Sequence, residues 1–258
     1  MSDLDLEEFP IVKAETLHTP NSILLYGPPG KGKSVMAGSI AKVPGFERVL
    51  AVDTEGSAVA LGPHHPEVDV IKAPTAELFT KYINALLNGK LVEPKSGLPY
   101  QAVIIDTFDK AQERQLEVFD KSKEGQATNS AGKKDSYYKW GAIKTWTSKV
   151  ADLLHQADFL VIWVMHEDVD KNEDTGRTTT TVMLGGKSQQ IFPSVPDIVG
   201  YFNVVKIDKE DVRAVDFRPN AKLISKQRFA GKLNGIVKDP DFSTIFKAIE
   251  PGRWDKEE

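Results

Sequence analysis

Residues 27–34 read GPPGKGKS and fit the pattern G-x-x-x-x-G-K-[ST]. In such a loop the glycines let backbone amides point at a phosphate, the lysine supplies a charge to the β- and γ-oxygens, and the serine can bind Mg²⁺. An apolar run precedes the loop and a helical pattern follows it, which is the context that the motif requires. The loop therefore predicts a site for a nucleoside triphosphate and Mg²⁺. The residues expected there are Gly27, Pro28, Pro29, Gly30, Lys31, Gly32, Lys33, Ser34 and Val35, with Lys33 also a catalytic cation.

Acidic residues end two further apolar runs. Asp106 follows AVII, where its carboxylate can hold Mg²⁺ together with Ser34. The next residue is Thr107, so the chain lacks the Asp-Glu pair of the AAA+ motor proteins that GPPGKGKS itself resembles. Asp53 and Glu55 end the run VLAV, at the sheet edge where open α/β folds bind ligands. We predict that Glu55 is the base that orients the attacking water, the alternative being that both are solvated turn acids.

The surrounding elements must position these residues. Apolar, β-rich runs alternate with segments of helical period, which is typical of a mostly parallel sheet flanked by helices. Short alternating runs after residue 200 predict antiparallel strands added to that sheet. The predicted fold class is therefore α/β with C-terminal antiparallel strands. Strands are expected at 22–26, 48–53, 68–72, 101–106 and 158–165, and helices at 33–42, 75–88, 108–121 and 136–156.

Two polar segments, 122–136 and 167–186, lack the spacing of a strand or helix. Both are predicted to be mobile, exposed loops. We divide the chain into an N-terminal extension at 1–20, an ATPase core at 21–235 and a C-terminal tail at 236–258.

Composition restricts the class of protein. The chain has 258 residues, 40% of them hydrophobic, and no cysteine, which excludes disulfides, thiolate metal sites and cysteine nucleophiles. The acidic start and the lack of an apolar run of about 20 residues predict a soluble, cytoplasmic protein without membrane contact. Because the net charge is −4, contact with nucleic acid requires a local basic surface. Residues 206–232 are such a segment, with eight Lys or Arg against four Asp or Glu.

The order of these features resembles a RecA-type core ATPase over residues 20–230. The phosphate loop is followed by VDTEG, then VIIDT, a polar segment and a long helix, then VIWVMHE and GGKSQQIFPSVPD. Within that superfamily, this short chain resembles the phage RecA/RAD51-like proteins that act in single-strand annealing. The resemblance implies a RecA-like P-loop fold, ATP and Mg²⁺ as cofactors, and DNA-stimulated ATP hydrolysis in homologous recombination. It also implies single-stranded DNA as a partner, possible contact with a single-stranded-DNA-binding protein, and a ring or filament with active sites at subunit interfaces, in the host cytoplasm if the chain is phage-encoded.

The resemblance also assigns roles to residues. Glu55 matches the catalytic glutamate. His166 occupies the place of a glutamine that senses the γ-phosphate, so histidine is a departure from the family, the alternative being a histidine at the strand end without a role. Lys226 and Arg228 resemble two cations that reach a neighbouring subunit's γ-phosphate, the alternative being a solvated edge strand protected by charge. The two polar segments match DNA-binding loops, or else are plain solvated loops. The DNA-binding candidates in and beside them are Lys121, Lys123, Lys133, Lys134 and Arg177.

Two other functions fit the same phosphate loop. A small-molecule kinase is one, although the loop 122–136 has no arginine to act as a lid. A nucleotide-gated loader or helicase-like motor, acting on a protein partner, is the other.

Overall fold

The first five strands form where the sequence is richest in aliphatic residues. They are β1 (Ser22–Gly27), β2 (Val49–Asp53), β3 (Asp69–Lys72), β4 (Ala102–Asp106) and β5 (Leu160–Lys171) in the computed structural model. β1, β2 and β4 are buried along their whole length, as strands covered on both faces must be. All five predicted strands are confirmed. The structure describes residues 19–122, 136–171, 178–207, 209–218, 222–229, 232–233, 235–251 and 253–254.

Four helices are also present where the apolar spacing predicts them. They are α1 (Lys33–Gly38), α2 (Ala76–Leu87), α3 (Phe108–Lys121) and α4 (Ser136–His155). α2 begins after Thr75, whose side chain accepts a hydrogen bond from the backbone N–H of Leu78 and so caps the first turn. Among the described residues, no helix has the length and apolarity that crossing a membrane requires.

Apolar residues recur in α4 at spacings of three or four, which predicts one face packed on the sheet, but that face is only partly covered. Ile143 and Leu154 are buried, but Trp140 is 39% exposed and Leu153 is 44% exposed. Trp140 lies beside Gly185 and Gly186, where a side chain at either position would contact its ring. The helix therefore packs on the sheet through a narrower stripe than the spacing predicts.

In the segment 167–186, residues 167–171 and 178–182 form strands where we predicted a mobile loop, and residues 172–177 lie outside the described residues. β5 continues to Lys171 and pairs antiparallel with β6 (Thr178–Val182). Threonine and valine favour extended backbone, and the ladder satisfies their backbone hydrogen bonds, so the polar composition did not prevent strand formation.

The C-terminal part of the sheet is antiparallel, as predicted. α5 (Ser188–Ile191) precedes β7 (Ile198–Ile207), which is followed by β8 (Glu210–Asp216), β9 (Lys226–Gln227) and β10 (Ile236–Lys238). β7 is parallel to β1, whereas β8 and β9 run antiparallel to β7. Beyond β10, α6 (Phe242–Ile249) packs its aromatic residues into the same hydrophobic cluster as α1. The segment that we placed in a tail thus supplies a strand and a helix.

The strand order brings the candidate site together. The sheet runs β10-β8-β7-β1-β5-β4-β2-β3, with β6 paired to β5 and β9 paired to β7. Gly27 is in register with His166, and Asp53 is in register with Asp106. Since these four strands are parallel, their carboxyl ends meet at one edge of the sheet.

Candidate nucleotide-binding site

The loop after β1 has a backbone that only glycine fits at two positions. A Cβ on Gly27 would lie 2.0 Å from the carbonyl oxygen of Phe202 on the neighbouring strand β7. Gly32 has φ +102°, in the left-handed region, directly before α1 begins at Lys33. The loop is therefore seated close against the sheet and turns sharply into the helix, which leaves the first amides of α1 free for an anion.

A cavity of about 290 Å³ lies over this loop. It collects residues from the ends of β1, β2, β4 and β5, as the strand order requires. The predicted site residues that line it are Gly30, Gly32, Lys33, Ser34, Val35, Glu55, Asp106 and His166.

Lys33 is held inside the loop. Its Nζ donates hydrogen bonds to the carbonyl oxygens of Gly27 at 2.8 Å and Pro28 at 2.7 Å. Burial lowers the pKa of Lys33, while the nearby carboxylate of Asp106 acts in the opposite direction. The side chain is 5% exposed, so its charge acts in a poorly solvated site where it attracts phosphate strongly.

Asp106 and Ser34 have the donor set that Mg²⁺ takes beside a phosphate chain. Burial raises the pKa of Asp106, and hydrogen bonds from Ser34 and Ser57 oppose that shift. Oδ2 accepts from the Ser57 hydroxyl at 3.0 Å, whereas Oδ1 is buried and has no hydrogen-bond partner among the described residues. No cluster of three or more metal-binding side chains occurs in the described part of the chain. One carboxylate and one hydroxyl suit Mg²⁺, which takes its other ligands from phosphate and water.

The two acids after β2 have different surroundings. Asp53 is buried, and its Oδ1 accepts from the backbone N–H groups of Gly56 at 2.7 Å, Ser57 at 3.2 Å and Glu55 at 3.3 Å. Glu55 is exposed to the cavity, where its Oε2 accepts from the Thr107 hydroxyl at 3.3 Å. Asp53 therefore holds the turn, and Glu55 is the carboxylate that the cavity offers to a ligand.

His166 is oriented by a residue that the sequence reading missed. Its Nδ1 lies 2.9 Å from Oδ2 of Asp109, and its backbone N–H donates to Oδ1 of the same carboxylate at 3.1 Å. The hydrogen bond with Asp109 raises the pKa of His166, and burial opposes it. With Nδ1 bound to Asp109, Nε2 is the ring nitrogen available to the cavity. The only signal for Asp109 in the sequence is an acid in the first turn of the helix after β4.

Arg213, from β8, is a second lining residue that we did not predict. No motif marks it, and only the sheet register brings β8 near the phosphate loop. Arg213 and the core residue Val215 lie two apart and share one face of β8, but the exposed Asp211 lies on the same face, so the alternation does not single out the arginine.

Lys226 and Arg228 are not brought to this cavity. Arg228 pairs with Asp197 at 2.8 Å, and the Nζ of Lys226 donates to the Ser194 carbonyl oxygen at 2.6 Å. β9 pairs with the first residues of β7, which lie beside the start of β1. Arg228 is therefore roughly 15 Å along the sheet from the phosphate loop, at about 3.3 Å per residue. Burial, followed by the charge of Arg228, lowers the pKa of Lys226 to about 8.

Only one of the predicted DNA-binding residues can be placed. Lys121 is exposed at the C-terminal end of α3. The others, Lys123, Lys133, Lys134 and Arg177, lie outside the described residues.

Together, the strand–loop–helix unit at 22–38 and the buried acid ending β4 define a P-loop NTPase core. In comparison with known families, residues 19–229 match the model described as AAA domain, and the chain belongs to that family. The match indicates an ATP-binding P-loop ATPase. No curated protein sequence matches the chain.

Proposed function

We propose that the protein is a Mg²⁺-dependent ATP hydrolase with a RecA-like arrangement of its site, which assembles with copies of itself and acts on single-stranded DNA. The observation that carries the hydrolase is the placement of Glu55 and Asp106. Glu55 follows β2, Asp106 ends the neighbouring strand β4, and both line the same cavity as Lys33. The carboxylate of Asp106 is thus available for the metal, and that of Glu55 for the attacking water.

Each side chain has a task in hydrolysis. Ser34 and Asp106 would hold Mg²⁺, which neutralises charge on the β- and γ-phosphate oxygens. Lys33 contributes a second charge to the same oxygens. Glu55 accepts a hydrogen bond from the attacking water and orients its oxygen toward the γ-phosphorus. His166 presents Nε2 to the cavity, where it can donate to the γ-phosphate when protonated.

The DNA and assembly parts of the proposal rest on the RecA-like resemblance. The exposed Lys121 and the basic segment 206–232 support contact with phosphates. Because Lys226 and Arg228 lie far from the cavity of their own chain, any catalytic role for them requires the cavity of a neighbouring copy.

A loader or motor that acts on a protein partner is the second candidate. The AAA family match supports it, and so does the charge of the β5–β6 hairpin. The exposed strand residues Asp168 and Asp170 are acidic, with Lys171 the one cation on the described part of that hairpin. An acidic hairpin repels a nucleic-acid backbone, so this element favours a protein ligand.

The test is the rate of ATP hydrolysis against protein concentration, with and without a single-stranded oligonucleotide. We expect hydrolysis to rise more steeply than protein concentration, to rise further with DNA, and to be lost in Lys33→Ala and Arg228→Ala. Arg253→Ala is the matched control, because Arg253 is also ion-paired, lies outside the segment 206–232, and has a side chain that is 42% exposed against 52% for Arg228.

Mixing the two inactive variants separates catalysis in trans from misfolding. Lys33→Ala retains Arg228, and Arg228→Ala retains the phosphate loop, so mixed assemblies contain complete sites. Recovery of activity on mixing supports the shared site. If activity is proportional to concentration and the mixture stays inactive, the assembly proposal is wrong. DNA binding that is absent at low salt, together with a stable complex with a protein, would favour the loader.

A further inference from the structure

Arg213 lies across the phosphate loop. Its Cζ and Nε are each 3.4 Å, and its Cδ 3.6 Å, from the position that a Cβ on Gly32 would occupy. The side chain therefore lies over the residue that precedes α1, at van der Waals distance from that Cβ position. Among the described residues, its guanidinium has no hydrogen-bond or ion-pair partner.

The backbone of Arg213 is fixed on both sides. β8 is paired with β7 on one side and with β10 on the other, and Arg213 itself is in register with Val204. Its carbonyl oxygen accepts from the backbone N–H of Asp239 at 2.7 Å. Since the strand is held at this point, the arginine is presented to the loop by rigid backbone and only its side chain can adjust.

Arg213 also lies between two cavities. The cavity over the phosphate loop and a second one of about 190 Å³ share Gly32, Val35 and Arg213 as lining residues. The second cavity runs along α1 and is closed by Pro240 and Asp241 beyond β10. Arg213 therefore borders the space over Lys33, where the phosphates of a nucleotide would lie.

We propose that Arg213 binds the phosphate chain of the nucleotide in its own subunit, at the point where the chain leaves the loop. A guanidinium fork makes two parallel, charge-assisted hydrogen bonds to phosphate oxygens, which a lysine cannot reproduce. The proposal rests on the nucleotide site described above. It adds a cation that is distinct from Lys226 and Arg228, because it needs no second copy of the chain.

The experiment measures the Kd of ATP and of inorganic tripolyphosphate by titration calorimetry. The proteins are the wild type, Arg213→Gln, Arg213→Lys and Lys33→Ala, with Lys238→Gln as the control that removes one charge from the neighbouring strand. We expect Arg213→Gln to weaken both ligands by a similar factor of about 10 to 100. The Kd values of Arg213→Lys should lie between those of the wild type and of Arg213→Gln. The Kd values of Lys238→Gln should equal those of the wild type.

Unchanged tripolyphosphate binding in Arg213→Gln overturns the proposal, whatever happens to ATP. If Arg213→Gln loses only as much affinity as Lys238→Gln, the proposal is also overturned, because the effect would then come from the change in net charge and not from a contact with phosphate. If Lys33→Ala binds ATP as tightly as the wild type, the nucleotide site itself is wrong, and this proposal falls with it. Urea unfolding of each variant checks that binding is measured on folded protein. Should Arg213→Gln not fold, the same criteria apply to Arg213→Lys.

Discussion

Replacing the two acids after β2 should separate folding from catalysis. Asp53→Ala removes the oxygen that accepts three backbone hydrogen bonds, at 2.7, 3.2 and 3.3 Å. The bond from Gly56 is the shortest of the three, and a hydrogen bond to a charged group contributes about 1.5–3 kcal/mol. We therefore expect the free energy of unfolding to fall by about 2–3 kcal/mol, as for the loss of a strong helix cap. Glu55→Gln breaks no such network, so its unfolding free energy should stay within about 0.5 kcal/mol of the wild type.

The effects on activity should have the opposite order, with a larger loss for replacing Glu55 than for replacing Asp53. Glu55→Gln keeps the shape of the side chain but cannot accept a proton, so kcat should fall by a factor of about 10² to 10⁴. Asp53→Asn, which retains an acceptor oxygen, should lose less stability than Asp53→Ala and keep most of the activity. The assays are urea unfolding and steady-state release of phosphate, with the exposed α4 residue Asp152→Ala as the control. If Glu55→Gln hydrolyses ATP at the wild-type rate, or if Asp53→Ala is as stable as the control, the roles given to these two acids are wrong.

Three further results are expected. Gly27→Ala places a Cβ 2.0 Å from a backbone oxygen of Phe202, so thermal unfolding should show a loss of more than about 3 kcal/mol or no folded protein. Asp109 raises the folded-state pKa of His166 above its unfolded value, so the charged His166 stabilises the fold fully below about pH 6.5, and this stability is lost as pH rises through the folded pKa. Urea unfolding at a series of pH values should show that dependence, and His166→Gln should remove it. Phe246→Ala should cost about 3–5 kcal/mol in urea unfolding, because the ring is fully buried, and a loss below 1 kcal/mol would contradict its place in the core.

The sequence was sufficient for the elements whose signals are local. The glycines of the loop, the buried runs ending in Asp53 and Asp106, and the helical spacing of α2 and α3 all depend on neighbouring residues, and each is found as predicted. The β5–β6 hairpin was not predicted, because its polar residues are also typical of loops. Its strands are stabilised by pairing with each other, which is not a property of either segment alone.

Long-range register explains the other omissions. Asp109 orients His166 across 57 positions, and Arg213 reaches Gly32 from 181 positions away along the chain. Neither contact has a pattern in the sequence, because each follows from the order of strands in the sheet. The C-terminal segment from 236 was placed outside the core for the same reason, although β10 pairs with β8 and carries the chain to α6.

The position of the base can be argued from the register of two strands. Because Asp53 and Asp106 are opposite each other, the residue after Asp106 and the turn after Asp53 meet over the same cavity. A glutamate could reach the water from either place. In this chain the residue after Asp106 is a threonine, and its hydroxyl donates to Glu55, so it supports the base instead of supplying it. Asp53 is committed to the turn that presents Glu55. In the proposed hydrolase, the sheet edge thus divides three tasks among three acids: Asp53 shapes the backbone, Asp106 would hold the metal, and Glu55 would act on water.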